Sequence, residues 1–214
     1  MSLELVVFDL AGTTIRDDNE VADVFNAALA DYELDQAVVT SVMGWPKPIA
    51  IGHLIGANPD SALVMALHDR FVQGMIEHYQ SSLEPMPHAR ELIEKLENAG
   101  IRTGIDTGFF RVIGEVILDK VNFPISASVM SDEVENGRPA PDMIYRLMEL
   151  TGVEDAAKVA KVGDTPSDLR QGTAAGCGLV VGVLHGTHTR EQLEKEPHTH
   201  LAEDLFEVEK ILLG

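Results

Sequence analysis

Short apolar runs recur along this chain at helix-length intervals, and most end in a turn rich in Asp, Gly, Ser or Thr. They read as buried strands over residues 3–8 ("LELVVF"), 101–106, 125–130, 158–163 and 179–184. Helical patterns lie between them from residue 87 onward. The first opens at Pro87, carries the stripe Leu92, Ile93 and Leu96, and closes at Gly100; the last runs near 203–213. Repeated strand–helix–strand alternation predicts a parallel sheet covered by helices on both faces, an α/β fold.

One stretch breaks the rhythm. Residues 20–34 place Val21, Val24, Phe25, Ala28 and Leu29 on one helical face. Residues 36–82 also read as helical, interrupted by "GWPKP" at 44–48 and "ANPD" at 57–60. The simplest organisation is a core from residues 1–15 and 83–214, with a small helical domain, 16–82, inserted after the first strand.

In an open parallel sheet, ligands bind beyond the carboxyl ends of the strands. Strand one delivers Asp9 and then "LAGTT". Strand two delivers Asp106, Thr107 and Gly108. Strand three is followed by "SDEVENGRPAPD" with Arg138, and strand four by "GDTPSD" with Asp164 and Asp168. Carboxylates, hydroxyls, glycines and an arginine on one rim form an inventory for a hard cation and a phosphoryl group. Asp9 can serve as a carboxylate nucleophile. Gly12 lets the turn's N–H groups approach phosphate oxygens, and Thr13 and Thr107 can donate hydroxyl hydrogen bonds. Asp164 can join Asp9 on Mg²⁺. Each residue also has a plainer reading. Asp9 can be a turn residue, Thr107 a helix cap, and Arg138 a loop cation. Thr165 and Asp168 fit a capping box with Pro166 at the first helical position. Four motifs at four successive strand ends favour the functional reading.

In that order and placement the chain resembles the haloacid dehalogenase superfamily. Asp9–Thr13 matches its first motif, Thr107 its second, Arg138 the basic third, and "GDTPSD" its fourth. The resemblance spans nearly the whole chain. It implies a Rossmann-like core with a helical cap, and Mg²⁺ held by Asp9, the Ala11 carbonyl and Asp164. Asp168 would complete the acidic metal site, orienting metal-bound water or Arg138. Most superfamily phosphatases carry a second Asp two residues after the first, as acid and then base; Ala11 cannot transfer a proton. "D-x-A-G-T-T" with arginine at the third motif is similar to the phosphonatase branch, which cleaves carbon–phosphorus bonds. There a cap lysine forms a Schiff base with the substrate aldehyde. "MGWPK" at 43–47 matches that branch's lysine motif and marks Lys47, flanked by Pro46 and Pro48. The branch has a histidine three residues after the lysine, where this chain has Ala50. His53 lies one helical turn further. "DTGF" replaces the branch's Thr-Thr-Gly-Tyr at the second motif.

The expectation is a Mg²⁺-dependent hydrolase acting on a small phosphonate or phosphorylated metabolite through an aspartyl-phosphate. Asp9, Lys47, Thr107 and Arg138 are its catalytic candidates, with Ala11, Gly12, Thr13 and Gly108 at the substrate. The alternatives are a phosphatase of the phosphoglycolate phosphatase type and a catalytically weak binding module.

Net charge is −19, from 35 acidic and 16 basic residues, which argues against nucleic-acid binding. The single cysteine, Cys177, permits no intrachain disulfide and reads as a small buried residue. The N-terminus lacks the basic region of a signal peptide, and no stretch is long enough to span a bilayer. A cytoplasmic monomer or homodimer is expected. His185, His188, His198 and His200 match no closed zinc motif and read as loop or surface histidines, with His185 and His188 near the rim.

Overall fold

The computed structural model describes residues 2–214. Six strands form one sheet: β1 (Leu5–Phe8), β2 (Arg102–Thr107), β3 (Ala127–Met130), β4 (Val159–Gly163), β5 (Leu179–Val183) and β6 (His200–Ala202). Their order is β3-β2-β1-β4-β5-β6, and every neighbouring pair is parallel. The strand order reverses direction at β1, between β2 and β4, so the crevice that receives ligands opens at its carboxyl end.

All four residues of β1 are buried, as a strand covered on both faces demands. Alternation sends Val6 and Phe8 into one apolar cluster and Leu5 and Val7 into another. The first cluster holds α5 (Ala89–Asn98), α6 (Arg111–Val121) and α10 (Leu205–Leu213) against the sheet. The second holds α7 (Asp142–Thr151). Helix α8 (Pro166–Ala175) and the short α9 (Arg190–Leu193) cover β4 and β5, with Leu169, Val180 and Leu193 as a third cluster.

Between β1 and β2 the chain runs through α1 (Glu20–Ala28), α2 (Gln36–Ser41), α3 (Lys47–Ile55) and α4 (Ala62–Ser81). These helices share the first cluster with the sheet. Phe25 and Phe71 lie 4.5 Å apart between ring centroids, and Phe109, beyond β2, lies 6.4 Å from Phe71 and 6.0 Å from Tyr79. Burial of each such side chain is worth about 1.5–3 kcal/mol, so this aromatic seam holds the helices down on the rim.

The five expected strands are present with slightly shifted ends. β6 was not foreseen: three residues at the sheet edge, one exposed and one half-buried, carry no apolar periodicity. Helix α1 ends at Ala28 instead of reaching Leu34, and Asp35, accepting the Ala37 N–H (2.8 Å), starts α2. Helix α5 starts at Ala89 and not at Pro87; His88, with φ 71°, stands before it. No helix among the described residues is long and apolar enough to cross a membrane.

Candidate active site

The carboxyl end of β1 delivers Asp9, which is 4% exposed. The following turn is tied by three N–H groups, those of Thr13, Thr14 and Ile15, all donating to the Leu10 carbonyl, while Gly12 N–H donates to Ile15. The N–H groups of Gly12 and Thr13 are therefore spent inside the turn. Gly12 serves otherwise. Its φ is +78°, and a Cβ there would lie 2.5 Å from Asp164 Oδ2, so only glycine lets the turn pass that carboxylate. The Thr13 hydroxyl donates to Asp164 Oδ1 at 3.1 Å instead of facing a substrate.

Arg138 reaches across the rim and is 3% exposed. One Nη donates to Asp9 Oδ1 at 3.0 Å and the other to Asp168 Oδ1. Asp168 is capped in the α8 box as expected: its Oδ2 accepts the Thr165 hydroxyl at 2.6 Å. Both Asp168 oxygens thus accept hydrogen bonds, and Asp168 holds Arg138 in place. Gly163 creates the space, since a Cβ there would meet Asp168 Cγ at 2.2 Å.

Lys161, on β4, is a site residue that the sequence reading passed over. It is fully buried, pairs with Asp106, and lies 3.0 Å from Asp168 Oδ1. The signal was a lysine inside a strand that must be covered on both faces, which requires a buried acid nearby. Asp9, Arg138, Asp168, Lys161 and Asp106 form one alternating chain of charge. Burial would raise the Asp168 carboxyl, but Arg138 and Lys161 hold it down to about 2.

Carboxylate oxygens of Asp9, Asp106 and Asp168 converge within 4.8 Å. That cluster is no vacant metal cradle, because Arg138 and Lys161 already sit among the three acids. Asp164 is different. It is fully buried, accepts the Thr187 N–H at 2.8 Å, and has no cationic partner. Burial, then the charges of Asp9 and Asp168, push its carboxyl up to about 8. Four buried carboxylates face three buried cations here: Arg138 and Lys161 pair with Asp9, Asp106 and Asp168, Lys47 stands across the cavity, and Asp164 has no ion pair among the described residues. These residues fit a divalent cation.

Lys47 is the first residue of α3, with Pro46 at the cap position and Pro48 next. It is 3% exposed, and among the described residues its Nζ makes no hydrogen bond or ion pair. The rings of Phe25, Phe71 and Phe109 surround it at 5.5, 6.0 and 5.2 Å. Burial, then the charge of Arg138, lower the amine to about 8, against the pull of Asp9, Asp17 and Asp164. A helix N-terminus also disfavours a cation. Ala50, where the resemblance expects histidine, is fully buried, and His53 packs on Trp45 at 5.5 Å.

A cavity of about 30 Å³ separates Lys47 from Asp9; Ala11, Asp17, Thr107, Gly108, Phe109 and Arg138 share its wall. The Thr107 oxygen accepts the Phe109 N–H at 3.3 Å, leaving its own proton free to donate. Among the described residues no histidine joins a cluster of ligating side chains. His185 contacts the Thr13 carbonyl (3.2 Å), and His188 is buried instead of lying at the surface. Cys177 is half-buried, and burial pushes its thiol up to about 12.

A parallel sheet with an acid–arginine chain at its switch point, faced by an aromatic-caged lysine, defines an α/β protein of Rossmann-like topology with a charged site at the carboxyl end of its strands. More particularly, the chain belongs to the haloacid dehalogenase-like hydrolases, whose family model matches residues 6–182. A bifunctional phosphonoacetaldehyde hydrolase/aminoethylphosphonate transaminase of Clostridioides difficile is 30% identical over 90% of this chain, which spans about a third (34%) of that protein. A phosphonoacetaldehyde hydrolase of Bordetella avium is 30% identical over 86% of this chain and 72% of its own length. The solved structure of a hydrolase from Pseudomonas syringae superposes with a TM-score of 0.88 at 20% identity, covering 98% of this chain and 97% of that one.

Proposed function

We propose that this hydrolase cleaves a carbon–phosphorus bond in a small phosphonate bearing an aldehyde, with residues 16–82 acting as a cap over the site. The observation that carries the reading is the shared cavity. An unpartnered, caged amine and the carboxylate of Asp9 border one small cavity. An amine at about 8 is neutral in about a tenth of molecules at pH 7, far more than an ordinary lysine.

The Lys47 amine adds to the aldehyde carbon, and loss of water leaves an iminium. The phosphonate oxygens lie against Arg138 and the Thr107 hydroxyl. An Asp9 oxygen attacks phosphorus in line. The carbon–phosphorus electron pair passes into the iminium and gives an enamine, while the phosphoryl group remains on Asp9. No proton is needed on an oxygen leaving group, which accounts for Ala11. Water then hydrolyses the aspartyl-phosphate, and protonation and hydrolysis of the enamine release the shortened aldehyde. Asp9, Asp164 and the Ala11 carbonyl are the expected holders of Mg²⁺, which when bound supplies charge neutralisation between carboxylate and phosphoryl oxygens.

Borohydride added during turnover of phosphonoacetaldehyde tests the reading. Reduction is expected to fix a two-carbon adduct on Lys47, detected by peptide mass. Turnover without any adduct sinks the lysine chemistry and leaves an ester phosphatase, which p-nitrophenyl phosphate would reveal.

A further inference from the structure

Neither the residue two after Asp9 nor the residue three after Lys47 can carry a proton. Ala11 has no acid, and Ala50 has no imidazole. Among the titratable residues of the cavity wall, Asp9 is committed to phosphorus and Arg138 stays charged. Only Asp17 remains to exchange a proton with Lys47.

Its placement is specific. Asp17 Oδ1 accepts the Val21 N–H at 3.2 Å, which pins the carboxyl to the first turn of α1. Val21 itself borders the cavity. Behind Asp17 stands Glu20, one turn into the same helix end. Glu20 Oε2 and the hydroxyl of Tyr79, which is 1% exposed, are buried and without a hydrogen-bond partner. Glu20 and Tyr79 also line a second pocket, of about 170 Å³, with Arg16, Asp18 and Ser82 on the outer side of the helical layer. Asp17 thus borders the cavity of Lys47, and Glu20, three residues on, borders the second pocket.

We propose that Asp17, backed by Glu20, is the proton-transfer residue of this site and carries protons between Lys47 and the outer pocket. The proposal rests on the Schiff-base reading of Lys47. Asp17 as carboxylate takes the proton of the Lys47 ammonium and frees the amine. As carboxylic acid it returns that proton to the departing hydroxyl of the carbinolamine, so that water leaves. After carbon–phosphorus cleavage a proton entering through Glu20 and Asp17 adds to the enamine carbon. The groups that face Asp17 are Glu20, Lys47 and Tyr79. Burial first, then Glu20, push the Asp17 carboxyl up to about 6, partly offset by the Val21 N–H and Lys47. That value suits exchange with an amine at about 8 near neutral pH.

The test is steady-state turnover of phosphonoacetaldehyde against pH, with borohydride trapping, for the wild type, Asp17→Asn, Asp17→Glu and Glu20→Gln. In the wild type kcat is expected to fall as pH drops through about 6. Asp17→Asn should lower kcat by about 10²-fold or more, slow adduct formation on Lys47, and remove that limb of the profile. Asp17→Glu should keep a displaced limb and recover part of the rate, which separates proton transfer from support of α1. Glu20→Gln should cause a smaller loss of the same kind. Adduct formation at an undiminished rate in Asp17→Asn, or a limb that survives in it, overturns the proposal while the lysine reading stands. A wild type that forms no adduct overturns both, and the unmodified Lys47 peptide identifies that case.

Discussion

The residue scale is governed by what Ala11 withholds. With no acid beside Asp9, the proposed chemistry draws its leaving-group stabilisation from the opposite wall, where Lys47 stands. Asp9→Asn should cut turnover on the order of 10³-fold or more with the fold intact by circular dichroism. Lys47 gives a sharper prediction because its environment opposes its charge. Its amine lies at about 8 in the fold against 10.5 when exposed, so the unfolded chain binds the proton more tightly. The destabilisation is full below pH 8, shrinks as pH rises, and vanishes above 10.5. Lys47→Met should abolish turnover yet stabilise the protein near pH 7 by ~1–3 kcal/mol, read as a melting temperature higher by ~2–4 °C per kcal/mol. The gain should fade in melts taken toward pH 11. A variant that melts lower than the wild type at pH 7 would show the amine to be comfortably solvated.

At the scale of elements, the loop that leads into α3 is pressed against three core loops. A Cβ on Gly108 would lie 2.9 Å from the Trp45 carbonyl, one on Gly44 2.5 Å from the Thr165 hydroxyl, and one on Gly137 2.5 Å from the Pro46 ring. Gly44 also has φ +82°. Small residues thus set the distance between Lys47 and Asp9. Gly108→Ala meets backbone, which cannot rotate away, and should push α3 back by a few tenths of an ångström. The expected result is a fall in kcat/KM of about 10–10²-fold with the melting temperature changed little. Thr165→Ala removes the helix cap and one Asp168 partner, and should cost ~0.5–2 kcal/mol in denaturant titration. Elements were legible in the sequence where burial wrote a pattern into them. The five main strands and the helices that cover them carry continuous apolar runs or a clear stripe. β6 was illegible because an edge strand of three residues needs no such pattern. The end of α1 was illegible because the apolar spacing continues through Leu29, past its last helical residue, Ala28.

For the whole molecule, excess buried negative charge should make the protein respond to a divalent cation. Saturation with Mg²⁺ at about 100 times its dissociation constant should stabilise by about 2.7 kcal/mol, a rise in melting temperature of ~5–10 °C. Chelation should remove both the shift and the activity, and Asp164→Asn should blunt the shift; a melt indifferent to Mg²⁺ would refute the assignment. The motifs at Asp9, Thr107, Arg138 and Asp164 could be read without coordinates, because an α/β alternation sends every strand's carboxyl end to the same rim. So could Lys47, which lies in a short pattern bounded by two prolines. The sequence alone therefore determined the sheet, the run of helices between its first two strands, and which residues gather at the rim. Only the tertiary structure decided which side chains are spent on one another. Asp168 is taken by Arg138 and Lys161, and the Thr13 hydroxyl by Asp164, across separations of up to 151 residues. Asp17, a plain loop acid by its neighbours, comes to border the same cavity as Lys47 only through the tertiary fold. Local patterns report burial along a segment, whereas charge pairing depends on which segments meet.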